Sequence, residues 1–172
     1  MTQLEATQKT GNVIETLLAD NWNDLTAIQF PNSSEIKSGW GNWIRLSLHF
    51  TNRYVPKTLQ HDVNDQGLAA VAVIITKRPT LTKDEAKVQQ RHAATRLIEI
   101  FSPKVIKAER LKIELYGLSG VAVTDHSDLP IYTREDHDCF YASLTFPFEM
   151  SVDGQAGQVQ RKVYELKPFR KS

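Results

Sequence analysis

One stretch of the chain, from Gly67 to Phe101, most limits the folds open to it. The stretch begins with the longest apolar run in the sequence, residues 68–75, and four of the last five residues of that run are β-branched. Such side chains fit a pleated sheet surface, and the run is too short to span a bilayer. Pro79 has no N–H to donate to a β-ladder, so the strand should end by Arg78. We therefore predict a buried strand.

A helix is predicted directly after this strand. Thr82 is a suitable N-cap, and Glu85, three residues later, completes the spacing of a capping box. Ala93, Leu97 and Phe101 recur every four residues and so share one helix face. The Ser102-Pro103 pair should end the helix, because the residue before a proline is disfavoured in the α region. A strand followed by an amphipathic helix predicts a sheet with one long helix across it.

Other segments supply strands and a second helix. The clearest alternation runs from Trp43 to Phe50, with one apolar face and one face that is wet or at an interface. Further strands are predicted at 25–31, 111–116 and 139–148, and residues 121–123 are a candidate edge strand. An N-terminal helix of about three turns is predicted from an N-cap at Asn12 to Asn23, after loosely held residues 2–11. Residues 51–66 read as a long polar connection.

Together these elements predict an α+β fold. We expect a mixed or antiparallel sheet of about four to five strands, with the N-terminal helix and one long central helix packed on it. Residues 1–152 should form a single domain, because a chain of 172 residues is long enough for one core. Residues 153–172 should form a basic C-terminal tail that is mobile or binds a partner.

Composition excludes several classes of protein. Hydrophobic residues make up 41% and charged residues 24%, as in ordinary globular proteins, and a net charge of +1 argues against a dedicated nucleic-acid binder. Cys139 is the single cysteine, so no intrachain disulfide is possible, which suits a reducing cytoplasm. The first residues contain no apolar signal-peptide core, and no membrane association is expected.

The charges are nevertheless unevenly distributed. Residues 77–112 contain ten Lys or Arg against four Asp or Glu, whereas residues 125–138 contain five acidic residues against one Arg. The two regions either are solvated or meet between subunits. The polar connection adds a charged segment with aromatic and apolar residues, typical of an arm that becomes ordered on a partner. The candidate interface residues are Arg53, Tyr54, Lys57, His61, Lys87, Arg91, Arg96, Asp125, Asp128 and Asp136.

The same acidic region holds the best candidate chemistry. His126, His137 and the neighbouring carboxylates include possible metal ligands, but their spacing matches no tight motif. Cys139 lies two residues from His137, yet no oxyanion turn or orienting third residue accompanies them, so a buried strand cysteine is favoured. Phosphate-binding glycine loops and the helical zinc motif are absent from the sequence. We assign no catalytic, metal or cofactor residue, and a small metal-dependent hydrolase is the alternative from another class.

Three segments resemble the tail terminator, or tail completion, proteins of long-tailed bacteriophages. The first is the helix that leads to Trp22, followed by a strand that ends in Pro31-Asn32. The second is the strand 43–48, and the third is the strand-helix unit 68–101 with its closing strand 141–148. Together they cover residues 12–150. The segment 118–138 and the tail after Asp153 are longer than the family pattern.

The resemblance implies a structural virion protein with no enzymatic activity and no cofactor. Such a protein forms a hexameric ring that caps the tail tube, ends tube polymerisation and provides the surface on which the head docks. Its expected partners are further copies of itself, the tail tube protein and the head–tail connector, and DNA only passes through the ring. The expected location is the virion tail, assembled in the host cytoplasm. Another head–tail neck or adaptor protein is the nearest alternative.

Overall fold

The structure is a computed structural model that describes residues 2–23, 27–31, 41–51, 63–125 and 139–152. These residues form two helices and a sheet of seven strands, which confirms the α+β class. The elements are α1 (Gln3–Asn21), β1 (Ala27–Gln29), β2 (Asn42–Phe50), β3 (Val63–Thr76), α2 (Lys83–Ile100), β4 (Lys104–Ala108), β5 (Leu111–Leu115), β6 (Gly120–Asp125) and β7 (Cys139–Val152). The tail 153–172 lies outside the described residues.

The sheet is built around its two longest strands. β3 and β7 have 14 residues each and pair antiparallel along their whole length, from Val63 opposite Val152 to Thr76 opposite Cys139. The strand order is β1-β2-β3-β7-β5-β4, and β6 pairs with the part of β7 that β5 leaves open. β1 runs parallel to β2, whereas the other pairs are antiparallel, so the sheet is mixed.

The main core lies between one face of the sheet and the two helices. Alternate residues of β2, β3, β5 and β7 enter it, as the period of two requires. Its largest members include Phe101 and Phe146, whose rings stack with centroids 4.8 Å apart. A smaller cluster on the opposite face contains Trp43, Ile74 and Cys139. Cys139 is therefore a buried strand cysteine, as predicted, and Trp43 is packed inside the protein.

The first helix is longer than the sequence pattern predicted. Its N-cap is Thr2, whose hydroxyl accepts from the Glu5 amide, so the prediction of an N-cap at Asn12 after loosely held residues was wrong. The first half buries small side chains, Ala6 and Thr10, at the same four-residue spacing that Ile14 and Leu18 continue. A face made of small residues lacks the bulky apolar signal on which helix prediction depends.

The second helix follows the prediction closely. Thr82 and Glu85 form the complete capping box, with Thr82 Oγ1 accepting from the Glu85 amide at 3.1 Å and Glu85 Oε1 accepting from the Thr82 amide at 2.8 Å. These hydrogen bonds, first that to the Thr82 backbone, lower the pKa of Glu85. Leu97 and Phe101 are fully buried. The sequence predicted one long helix and a shorter N-terminal one. Both helices are long, since α1 has 19 residues and α2 has 18.

The expectation of four to five strands was also too low. β4 was missed, because the turn that joins it to β5 consists of Glu109 and Arg110 and lacks the Asn-Gly type of signal. Glu109 adopts φ 58°, which is uncommon for a residue other than glycine. The Lys9–Glu109 ion pair, at 3.1 Å, links this turn to α1. The candidate edge strand at 121–123 is present as β6.

The predicted connection 51–66 is shorter than expected, because β3 begins at Val63. Asp65 is 2% exposed and is held by hydrogen bonds: its Oδ1 accepts from Thr51 Oγ1 at 2.6 Å and from the Gln66 amide at 2.8 Å. A polar residue is buried without great cost when such partners satisfy it. Residues 63–66 are therefore part of the sheet and not of the loop.

Pro147 lies within β7, where a proline is unusual. Its carbonyl accepts from the Tyr116 amide at 3.1 Å, on the edge of β7 that faces β5 and β6. In an antiparallel strand the N–H and C=O of one residue point to the same side, so the missing N–H of Pro147 also belongs to this edge. Pro147 thus marks the place where β5 gives way to β6, and the ladder with β3 loses no hydrogen bond.

Candidate interface beside the second helix

Six of the ten predicted interface residues lie outside the described residues: Arg53, Tyr54, Lys57, His61, Asp128 and Asp136. Asp125 is the last residue of β6, where its backbone pairs with Phe140. The three remaining residues, Lys87, Arg91 and Arg96, are on α2. The structure therefore locates the part of the predicted interface that is on α2.

Lys87 and Arg91 line a groove between α2 and the sheet. They are exposed and lie one helical turn apart, so they project from the same flank of α2. Gln90 and Ala94 complete the helical wall, and Val121, Ala142 and Leu144 form the opposite side of the groove. The groove has a volume of about 340 Å³. Two cations thus stand beside an apolar floor.

The groove exists because α2 covers the centre of the sheet and not β6. Gln90 Nε2 is 3.5 Å from the carbonyl oxygen of Val73 on β3, and the Phe101–Phe146 stack joins the end of α2 to β7. β6 lies on the far side of β7, and Val121 there is 56% exposed. Among the described strands β6 pairs only with β7, and its other edge has no partner within that part of the chain.

Arg96 does not belong to this basic flank. Its guanidinium carbon lies 5.7 Å from the centre of the Trp22 ring, and the side chain is half-buried between α2 and the end of α1. A guanidinium over an indole face is attracted by the ring quadrupole. Nine residues separate Arg96 from Lys87, which is two and a half helical turns, so the two lie on opposite sides of α2. Arg96, named with Lys87 and Arg91 as a candidate interface residue, therefore does not lie on their side of α2.

A second groove lies between α1 and the edge strand β4. It has a volume of about 410 Å³, and its apolar lining comes from Val13, Leu17, Ile106 and Ala108. Polar residues of α1, among them Asp20, form its rim. Sequence reasoning missed this groove together with β4.

Tyr116 and Glu149 form a polar contact on the face of the sheet away from the helices. The Tyr116 hydroxyl donates to Glu149 Oε1 at 2.7 Å. This hydrogen bond, with smaller contributions from desolvation and from Glu114, raises the pKa of Tyr116 to about 12. Glu114 and Glu149 are direct cross-strand neighbours. The tyrosine therefore donates to one of two neighbouring carboxylates. The alternation of residues within a single strand does not reveal this arrangement, because it depends on how two strands pair.

The described residues contain no group of three or more His, Cys, Asp or Glu side chains placed to hold a metal ion. The acidic segment that suggested such a site, residues 126–138, is outside the described part. Within the described helices, none is long and apolar enough to cross a membrane. The groove beside α2 is the best-defined candidate interface in the described part of the chain, because it combines two cationic side chains with an apolar surface. No protein-family model and no curated protein matches this chain.

Proposed function

We propose that this protein is a tail terminator of a long-tailed bacteriophage. In this role it forms a hexameric ring on the tip of the growing tail tube, stops the addition of tube subunits and provides the surface on which the head–tail connector docks. It acts as a structural protein of the virion tail and not as an enzyme.

The observation that carries the proposal is where the resembling segments lie in the fold. The helix before Trp22 is the second half of α1, the strand 43–48 is the centre of β2, and 68–101 spans β3 and α2. The closing strand 141–148 is the middle of β7. With β1, the strand before Pro31, these elements are the two helices and four adjacent strands of the sheet. The resemblance therefore covers the framework of the domain.

The surface of the domain suits repeated contacts between unlike faces. A ring needs heterologous interfaces, in which one patch of a subunit meets a different patch of its neighbour. The basic groove beside α2 and the apolar groove beside β4 lie at different places on the sheet and differ in charge. Either is able to receive a neighbouring subunit or the end of the tube.

The test is a tail-length assay with the tube protein encoded in the same genome. Purified tube protein is polymerised with and without the protein, and tube lengths are measured by negative-stain electron microscopy. We expect added protein to stop elongation and to leave a ring on one tube end, with a ring mass in native mass spectrometry of six 19.5 kDa chains. Tubes of unchanged length and uncapped ends would contradict the proposal.

The same preparation separates the terminator from a neck or adaptor protein. An adaptor binds the head connector but leaves tube elongation unaffected, whereas a terminator ends elongation in the absence of heads. Pull-down of the purified connector, compared with the tube-length result, therefore assigns the protein to one role.

A further inference from the structure

The groove beside α2 offers three features to a ligand at once. Its floor is apolar, its helical wall carries Lys87 and Arg91, and the outer edge of β6 has no partner among the described strands. An extended polypeptide satisfies all three, because its backbone can add to the strand edge while alternate side chains reach the floor. The two exposed cations favour an acidic segment by charge complementarity.

The sequence contains such a segment. Residues 125–138 carry five acidic residues and one arginine, and Leu129 and Ile131 are separated by one residue. In an extended conformation these two side chains point the same way. In that conformation the backbone groups of Pro130 face the edge opposite to those of Leu129 and Ile131. Because Pro130 has no N–H, the segment suits a strand that pairs along one edge only.

We propose that this groove receives the acidic segment 126–138 of a second copy of the chain. The contact is heterologous, because a groove on one subunit meets a different segment of the next. This contact is the subunit interface of the proposed ring. The choice of a second copy of the chain as the occupant rests on the proposed function.

The test is a charge exchange across the contact. The variant Lys87→Glu/Arg91→Glu reverses the groove, and Asp128→Lys/Asp136→Lys reverses the segment. Like charges then face each other in each variant, and self-association, measured by sedimentation velocity, should weaken by about tenfold or more. An equimolar mixture of the two variants should restore assembly, because a six-membered ring can alternate two kinds of subunit.

A matched control leaves the groove intact. Lys107 and Lys112 are exposed cross-strand neighbours on β4 and β5. The variant Lys107→Glu/Lys112→Glu makes the same change in net charge as the groove variant, and its self-association should stay within about twofold of the original protein. Far-UV circular dichroism of all variants checks that they are folded.

Four results would overturn the inference. The first is unchanged assembly of the groove variant, and the second is equal weakening by the control. The third is rescue when all four reversals are in one chain but not in the mixture, which would place the contact within a single subunit. A protein that is monomeric at every concentration also overturns it, whereas the tube-length assay on that same protein decides the proposed function independently.

Discussion

At Gly67 the backbone of β3 lies against two neighbours from adjacent strands. A Cβ atom at this position would lie 2.6 Å from the carbonyl oxygen of His49 and against the ring of Phe148. Gly67→Ala should therefore cost about 1–3 kcal/mol of unfolding free energy, as overpacking does. Chemical denaturation measures this cost. Gly120→Ala is the control, since nothing lies within 4 Å of its added Cβ, and equal losses would contradict this account.

The hydrogen bond between Tyr116 and Glu149 predicts an unusual tyrosine titration. The pKa of Tyr116 is raised from 10.0 to about 12, so the neutral phenol is favoured in the folded state. Its contribution to stability is complete below the unfolded value of 10 and is lost as the pH rises through the folded value. Ultraviolet titration of phenolate should show one late tyrosine, which Tyr116→Phe removes.

The conservative change Glu149→Gln tests the cause of that shift. It keeps an oxygen acceptor but removes the negative charge, so the pKa of Tyr116 should fall towards its ordinary value. A late tyrosine that persists unchanged in this variant would mean that another group sets its pKa. The cross-strand neighbour Glu114 is the next to test, by Glu114→Gln.

At the scale of the element, two consecutive residues of α2 lie on different faces of the helix, one buried and one exposed. Leu97 is 0% exposed, whereas Ile98 is 39% exposed. Leu97→Ala should cost about 2–5 kcal/mol, because it leaves a cavity in the main core. Ile98→Ala removes as many atoms from the surface and should cost under about 1 kcal/mol. Thermal and urea denaturation compare the two, and similar losses would mean that the helix packs by another face.

The sequence predicted elements well where side-chain size and chain chemistry agreed. The capping box of α2, the alternation of β2 and the apolar run of β3 each combine a strong pattern with a clear boundary. The sequence did not predict the first half of α1, because its buried face is made of small residues. The sequence did not predict β4, because the turn after it places Glu109 in the left-handed region, which a residue of this type does not favour.

The candidate interface could be predicted only in part. The one-turn spacing of Lys87 and Arg91 placed both on one flank of α2, since helical geometry is local. That Arg96 packs on Trp22 depends on where α1 ends against α2, and that Val121 faces the basic flank depends on which edge of β7 receives β6. Both are tertiary facts that no local pattern contains.

At the scale of the whole molecule, the described part of the sheet has both helices on one face. β1 and β4 are the terminal strands of the main order, and β6 adds an edge beside α2. The face away from the helices has a small buried cluster around Trp43, while other positions on it, such as Ser47 and Thr145, are half-buried.

The position of β7 has a consequence for synthesis. It lies between β3 on one side and β5 and β6 on the other, yet its residues are 63 to 89 positions later in the chain than their partners on β3. Such non-local pairing folds slowly, because a long loop must close first. On the ribosome, the open edge of β3 waits on the order of ten seconds for β7 to be made. During that interval β2 is already available to pair with one edge of β3, the most apolar strand, while the other edge still lacks its partner.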